Sequence, residues 1–362
     1  MIKFFDISRQ NALIGNEIKE AIGRVIDSCQ YVSGKEVEKF EQDFATFCGA
    51  RYCVALNSGT AALHLALKMV RGHRVVTSAN TFIASSSAIT MAGKEPEFVD
   101  TDPDTCNINV NQVNSKTFKE KLRIVLPISL YGNPVELDKI DKSNDTKIIH
   151  DACQAVGAKI NFQPICNFAD TTCFSFYTTK NLSTCGESGA LVTNDFSLYE
   201  YAKSLRNHGR KDTNPYSHQY IGYNYRMTEI NAAILNVKLK YLFDWNCKRI
   251  DIANRYRLNL SGNSNIKLLK ILENHQPVYH LFPVFVDNPE YVKKELKSIG
   301  VETARHYPIP VHKQDCYYRE YGNWIIPQTQ KQAATVLTLP IYPELTLDEV
   351  DEVSSGLIKI LK

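Results

Sequence analysis

Between Tyr52 and Asp151 short β-forming runs alternate with helical runs, and no other feature limits the fold so strongly. The order is YCVAL, the helical AALHLALKMV, RVVTS, the helical IASSSAITMAG, EPEFVD, RIVLPISL, the helical VELDKIDK and KIIHD. A helix between two strands carries the chain back to begin the next strand in the same direction. The pattern therefore predicts an α/β fold built on a mostly parallel sheet. Such sheets gather ligands beyond the carboxyl ends of their strands, so residues just past those ends are the first to weigh for chemistry.

On either side the periodicity changes. NEIKEAIGRVIDS and EVEKFEQDFATFC carry apolar residues at helical spacing, with Ser33 the expected cap of the second helix. Thr228 to Leu260 reads as a long helical region. The segment before it, NHGRKDTNPYSHQYIGYNYRM, is polar, contains glycine and is too long for a neutral connector. Past LSGNSN the chain alternates again, with VYHLFPVFVD and VETARHYPIPVH as strands around PEYVKKELKSIG and a closing helix LDEVDEVSSGLIKIL. A chain of 362 residues exceeds one minimal core. The expected division is a large domain over 1–260 and a smaller C-terminal α/β domain over 261–362.

A net charge of +3 gives no reason to expect nucleic acid as a partner. The ten cysteines include no CxxC pair and no Cys/His cluster at zinc spacing, so reduced thiols and no metal are expected. No apolar run is long enough to span a bilayer and no signal-like segment opens the chain. A cytoplasmic protein with no membrane partner is expected.

Four places carry chemistry. In TTCFSFYTTKNLSTCGESGALV two strand-like runs enclose a tightly turned polar loop with one lysine, Lys180. Burial lowers a lysine's pKa toward the free amine that attacks carbonyl carbon, whereas the ordinary alternative is a solvated surface lysine. In RYCVALNSGTAALHLALKMV a strand runs through Asn57-Ser58-Gly59-Thr60 into a helix, an arrangement that suits an anion or simply a cap. Phe82, Asp151 and Gln154 follow strand ends, with a core aromatic, a helix cap and a surface amide as their ordinary alternatives. A phosphate-binding helix start, an aromatic, a strand-end aspartate and a Schiff-base lysine together are what pyridoxal 5'-phosphate requires: a lysine to hold it, an acid for the pyridine nitrogen and an aromatic face for the ring.

The chain also resembles a known family along nearly its whole length. The motifs are NSGTAALHLAL (57–67), NTFIASSSAI (80–89), FVDTDPDTCNIN (98–109), HDACQAVGA (150–158), FSFYTTKNLSTCGESGALVTND (174–195), IGYNYRMTEINAAIL (221–235), HYPIPVH (306–312) and LTLPIYPELTLDEV (337–350). They are similar to those of the DegT/DnrJ/EryC1/StrS sugar aminotransferases. The resemblance implies a fold-type I aminotransferase with a seven-stranded large-domain sheet, using pyridoxal 5'-phosphate to move an amino group from L-glutamate to a nucleotide-linked 3-keto or 4-keto 6-deoxyhexose. VKLKYLFDWNCKR resembles the 3-amino branch. Lys180 matches the lysine that bonds the cofactor, Ser175, Gly59 and Thr60 its phosphate contacts, and Phe82 the stacking aromatic. Asp151 matches the partner of the pyridine nitrogen and Gln154 the amide near the phenolic oxygen. Asn224 matches an asparagine that reaches the phosphate of a neighbouring subunit, which implies a homodimer with shared active sites. His306, Tyr307 and His312 lie in the substrate-side loop. Two positions depart from the pattern. Gly186-Glu187-Ser188-Gly189 stands where Gly-Glu-Gly-Gly is usual, and Tyr177 stands where many members have histidine, which bears on the sugar accepted. A deoxysugar dehydratase and a non-catalytic cofactor-binding regulator are the alternatives; Lys180 argues against the first.

Overall fold

A computed structural model describes the whole chain except residues 117–121, 143–144 and 212–213. Two helices open it, α1 (Ile7–Ser28) and α2 (Lys35–Phe47). Gly34, not Ser33, is the cap residue of α2. The acceptor that Ser33 was expected to supply comes from far along the chain: the Glu229 carboxylate takes the backbone N–H of Gly34 at 2.7 Å and of Glu36 at 2.8 Å.

Seven strands then build one sheet: β1 (Tyr52–Leu56), β2 (Arg74–Ser78), β3 (Glu95–Val99), β4 (Ile124–Val125), β5 (Lys147–Asp151), β6 (Thr171–Ser175) and β7 (Gly189–Thr193). Their spatial order is β1-β7-β6-β5-β4-β2-β3, and only β7 runs against its neighbours. Helices α3 (Gly59–Met69) and α4 (Ile83–Met91) make the crossovers after β1 and β2. Successive strand residues enter opposite cores: Val76, Val125, Ile148 and Phe174 one, Val75, Ile124, Ile149 and Cys173 the other. Burial on both faces is why these strands read as continuous apolar runs, each such aliphatic contributing roughly 1.5–3 kcal/mol. RIVLPISL keeps only two strand residues, because Pro127 has no N–H to give the ladder and serves it only as an acceptor, from Asp151 N. VELDKIDK forms a single 3₁₀ turn, Leu137–Lys139, in place of the expected helix.

The region from 228 to 260 is two helices, α5 (Glu229–Leu239) and α6 (Leu242–Leu260). Beyond it a smaller core packs helices on an antiparallel sheet of Lys267–Leu268, Phe282–Phe285 and Val336–Leu339. VETARHYPIPVH contributes only isolated bridges at Val301 and Ala304, since Pro308 and Pro310 cannot donate. The small core draws on more than residues 261–362: Ile252, Ala253, Tyr256 and Leu260 of α6 belong to it, and so does Ile2, which bridges Val301. Among the described residues no helix is long and apolar enough to cross a membrane.

Candidate active site

A cleft of about 600 Å³ opens at the carboxyl ends of β1, β2, β5 and β6. Ser58, Gly59, Thr60, Phe82, Asp151, Gln154, Ser175, Tyr177, Lys180, His306 and Tyr307 all line it.

The Ser58 hydroxyl caps α3 by accepting from Ala61 N at 3.1 Å, so the capping and the ligand readings of this turn coexist: Gly59 and Thr60 begin the helix at the cleft wall. A Cβ on Gly59 would lie 2.7 Å from Ser175 Cβ and 3.1 Å from Cys153 Sγ. The helix start is thus pressed onto the end of β6, and its positive dipole end shares the site with the Ser175 hydroxyl, a cradle that fits a phosphate. Gly189 is constrained equally, because a Cβ there would stand 2.4 Å from the Ser58 carbonyl carbon. Its neighbour Ser188 tolerates a side chain, buried with its hydroxyl on Glu187 O at 2.6 Å. The departure from Gly-Glu-Gly-Gly therefore leaves the turn closed.

Lys180 leaves β6 through a turn, its N–H bonded to Tyr177 O at 2.8 Å. The loop behind it is closed by Phe176 N on Ser188 O and Thr184 N on Phe176 O. Asn181 pins it to α6, donating to Asn246 Oδ1 at 2.9 Å. Burial pushes the Lys180 ammonium below its usual pKa, and Cys153, Asp151 and Glu187 partly oppose this. Asp151 has both oxygens engaged: Oδ2 accepts from Ser85 Oγ at 2.7 Å and Oδ1 from Cys153 N at 3.1 Å. Gln154 accepts from Tyr131 N at 2.6 Å and donates to the Tyr307 hydroxyl at 3.0 Å. Phe82 is 54 % exposed and tilts its ring toward Tyr307 at 5.8 Å. His306 shares a 3.1 Å hydrogen bond between Nδ1 and Thr338 Oγ1; burial and the Lys180 charge hold its pKa at about 4. This residue set fits pyridoxal phosphate: an anion cradle, an amine, an oriented carboxylate and an aromatic face in one cleft.

Two expected residues lie elsewhere. His312 is fully buried outside the cleft, its ring 6.5 Å from Phe98. The bond from Val311 N to Ala79 O pins its turn to the end of β2, and the ring goes into the Phe98 cluster. Asn224 is exposed outside its own chain's cleft, its Oδ1 accepting from Arg226 Nη2 at 2.7 Å. Among the cleft residues not anticipated are Ser85, Phe4, Phe5 and His280, the last 7 % exposed with Nδ1 unpartnered. Nothing local marks them, since VYHLF reads as a core strand.

The model of the DegT/DnrJ/EryC1/StrS aminotransferase family matches residues 12–358. A dTDP-3-amino-3,6-dideoxy-alpha-D-galactopyranose transaminase of Aneurinibacillus thermoaerophilus is 36 % identical over 359 residues, 98 % of each chain. The structure of DesV from S. venezuelae, solved in complex with a ketimine intermediate, superposes with a TM-score of 0.95 at 34 % identity, over 99 % of this chain and 98 % of that one. NtdA of Bacillus subtilis, solved with bound cofactor PMP, gives 0.88 at 30 % identity over 96 % and 81 %.

Proposed function

The chain belongs to the DegT/DnrJ/EryC1/StrS aminotransferase family, and on that premise we propose that it transfers an amino group from L-glutamate to a nucleotide-linked keto-deoxysugar, with pyridoxal 5'-phosphate as cofactor. One observation carries the reading: Lys180, Asp151 and the Ser58-capped start of α3 open into the same cleft. Pyridoxal phosphate, when bound, supplies an electrophilic carbonyl carbon and a protonated ring that accepts electrons.

The chain's own residues do the rest. Gly59, Thr60 and Ser175 bind the phosphate, and Phe82 gives the ring a face. Asp151, oriented by Ser85 and Cys153 N, holds a proton at the ring nitrogen. Gln154, itself fixed by Tyr131 and Tyr307, steadies the ring oxygen. Lys180 Nζ would hold the group and, as a free amine, take the proton at the donor's Cα; its lowered pKa favours that amine form. The name of the A. thermoaerophilus relative supports a ketone at C3.

A homodimer with shared sites is part of the proposal. Both substrates are anionic, yet among the described residues Lys180 is the only lysine or arginine that lines this cleft. Asn224 and Arg226 lie outside it, on an arm that leaves Tyr216 92 % and Ile221 93 % exposed. An arm with unmet apolar surface and cations suits a neighbour's cleft. The test is incubation with glutamate and a panel of nucleotide 3-keto and 4-keto sugars, with products read by mass spectrometry. Amination of none of them would overturn the reading.

A further inference from the structure

The two walls of the cleft come from different parts of the chain. The cofactor contacts from Gly59 to Lys180 belong to the large domain, whereas Phe4, Phe5, His280, Leu281, His306 and Ile341 face them from the first segment and the small domain. Phe4 is held on both flanks. Before it, Ile2 bridges Val301, with Ile2 N on Gly300 O at 2.7 Å and Glu302 N on Ile2 O at 2.9 Å. Its own N–H goes to Glu302 Oε2 at 3.1 Å, and Asp6 then caps α1. The Phe4 ring stacks on His306 with centroids 5.6 Å apart and planes 21° from parallel. Pinned in this way, the aromatic ledge is in place before any ligand arrives. Among the described residues no lysine or arginine stands in this wall, and burial holds the His306 imidazole beneath Phe4 at a pKa of about 4.

We propose that Phe4 and Phe5 are specificity-determining residues, which receive the deoxygenated edge of the sugar and reject a sugar carrying a carboxylate at that edge. The inference rests on the nucleotide-sugar reading above and deepens it. A methyl group set against two phenyl rings gains apolar burial, on the order of tenfold in kcat/KM. A carboxylate set against two phenyl rings loses its hydration and meets no charged group of that wall, a penalty that falls on the wrong acceptor alone.

The test measures steady-state kinetics of the holoenzyme with glutamate and two acceptors, a nucleotide keto-6-deoxyhexose and the matching keto-hexuronate. The wild type should prefer the deoxysugar by about a hundredfold. Phe4→Ala and Phe5→Ala should each lose about tenfold on the deoxysugar, mainly through KM, and Phe4→Arg should narrow or reverse the preference. Cofactor content reports folding; where an alanine variant loses it, Phe4→Leu and Phe5→Leu carry the measurement, with a smaller shift in the same direction. Equal use of the two acceptors by the wild type, or acceptor kinetics indifferent to these substitutions, would overturn the assignment while leaving the nucleotide-sugar reading intact. Glutamate consumption with neither acceptor aminated would overturn both.

Discussion

Ser85 and Asp151, 66 residues apart, meet through a 2.7 Å hydrogen bond from hydroxyl to Oδ2, and Thr81 shares a further 2.9 Å bond with the same hydroxyl. With Cys153 N on its other oxygen, the carboxylate is oriented before any ligand binds. Asp151→Asn should keep cofactor but slow single-turnover amine transfer by on the order of a hundredfold, about 3 kcal/mol of barrier. Ser85→Ala should cost only several-fold, because the charge survives and its aim is lost. Stopped-flow measurement of both variants checks this; a near-wild-type rate for Asp151→Asn would reduce the residue to a cap for the Cys153 turn.

Lys180 is the lysine that should react. Borohydride treatment of purified holoenzyme is expected to leave a pyridoxyl group on the peptide containing Lys180, and Lys180→Ala should lose amine transfer by at least about a thousandfold. Peptide mapping decides: label on a different lysine removes Lys180 from the centre of the mechanism.

Shared sites make a complementation prediction. In a hybrid of Lys180→Ala and Asn224→Asp subunits, one site carries both defects and the other neither, provided that Asn224 acts across the interface. Two weakly active parents, mixed under mild denaturant and refolded, should then recover up to about half the wild-type activity per hybrid. A mixture no more active than its parents, despite confirmed exchange, would place Asn224 within its own subunit's site.

His150 should make the fold sensitive to acid. It is fully buried, its Nε2 2.8 Å from Ser129 Oγ, and burial holds its pKa at about 3 against the ordinary 6.5. Between those values the unfolded chain binds a proton that the folded one does not, so stability falls as pH drops from 6.5 toward 3. At pH 5 this one group costs about 2 kcal/mol. His306, held at about 4, acts in the same direction. Urea midpoints at pH 7 and pH 5 should differ less in His150→Gln than in the wild type; an unchanged difference would assign the acid sensitivity to other groups.

Local signals account for what was legible. Lys180 sits in a loop closed by its own flanking strands, Asp151 ends a β-rich run, and Gly59 begins an apolar helix, so each announces its place within a few residues. What could not be read depends on distant partners. Phe4 reaches the cleft because its N–H finds Glu302, 298 positions away, and Glu229 takes over a cap that Ser33 was expected to form because the two helices meet only in the folded chain. His312 lies apart from the cleft for a related reason: His306 and Tyr307 line it, but the bond from Val311 N to Ala79 O turns the chain inward after them.

Helix α6 has its first turn in one core and its second half in the other: Leu242 packs with the large-domain cluster, and Ile252, Ala253, Tyr256 and Leu260 with the small one. Midway, the buried Arg249 guanidinium donates from Nη1 to the carbonyls of Tyr279 and Ile341. Neither half can melt alone without stripping apolar surface from a helix that the other still needs, or leaving a buried cation with no acceptor. Through this one helix the loss of either core therefore weakens the other, so the two are coupled by a continuous run of backbone hydrogen bonds.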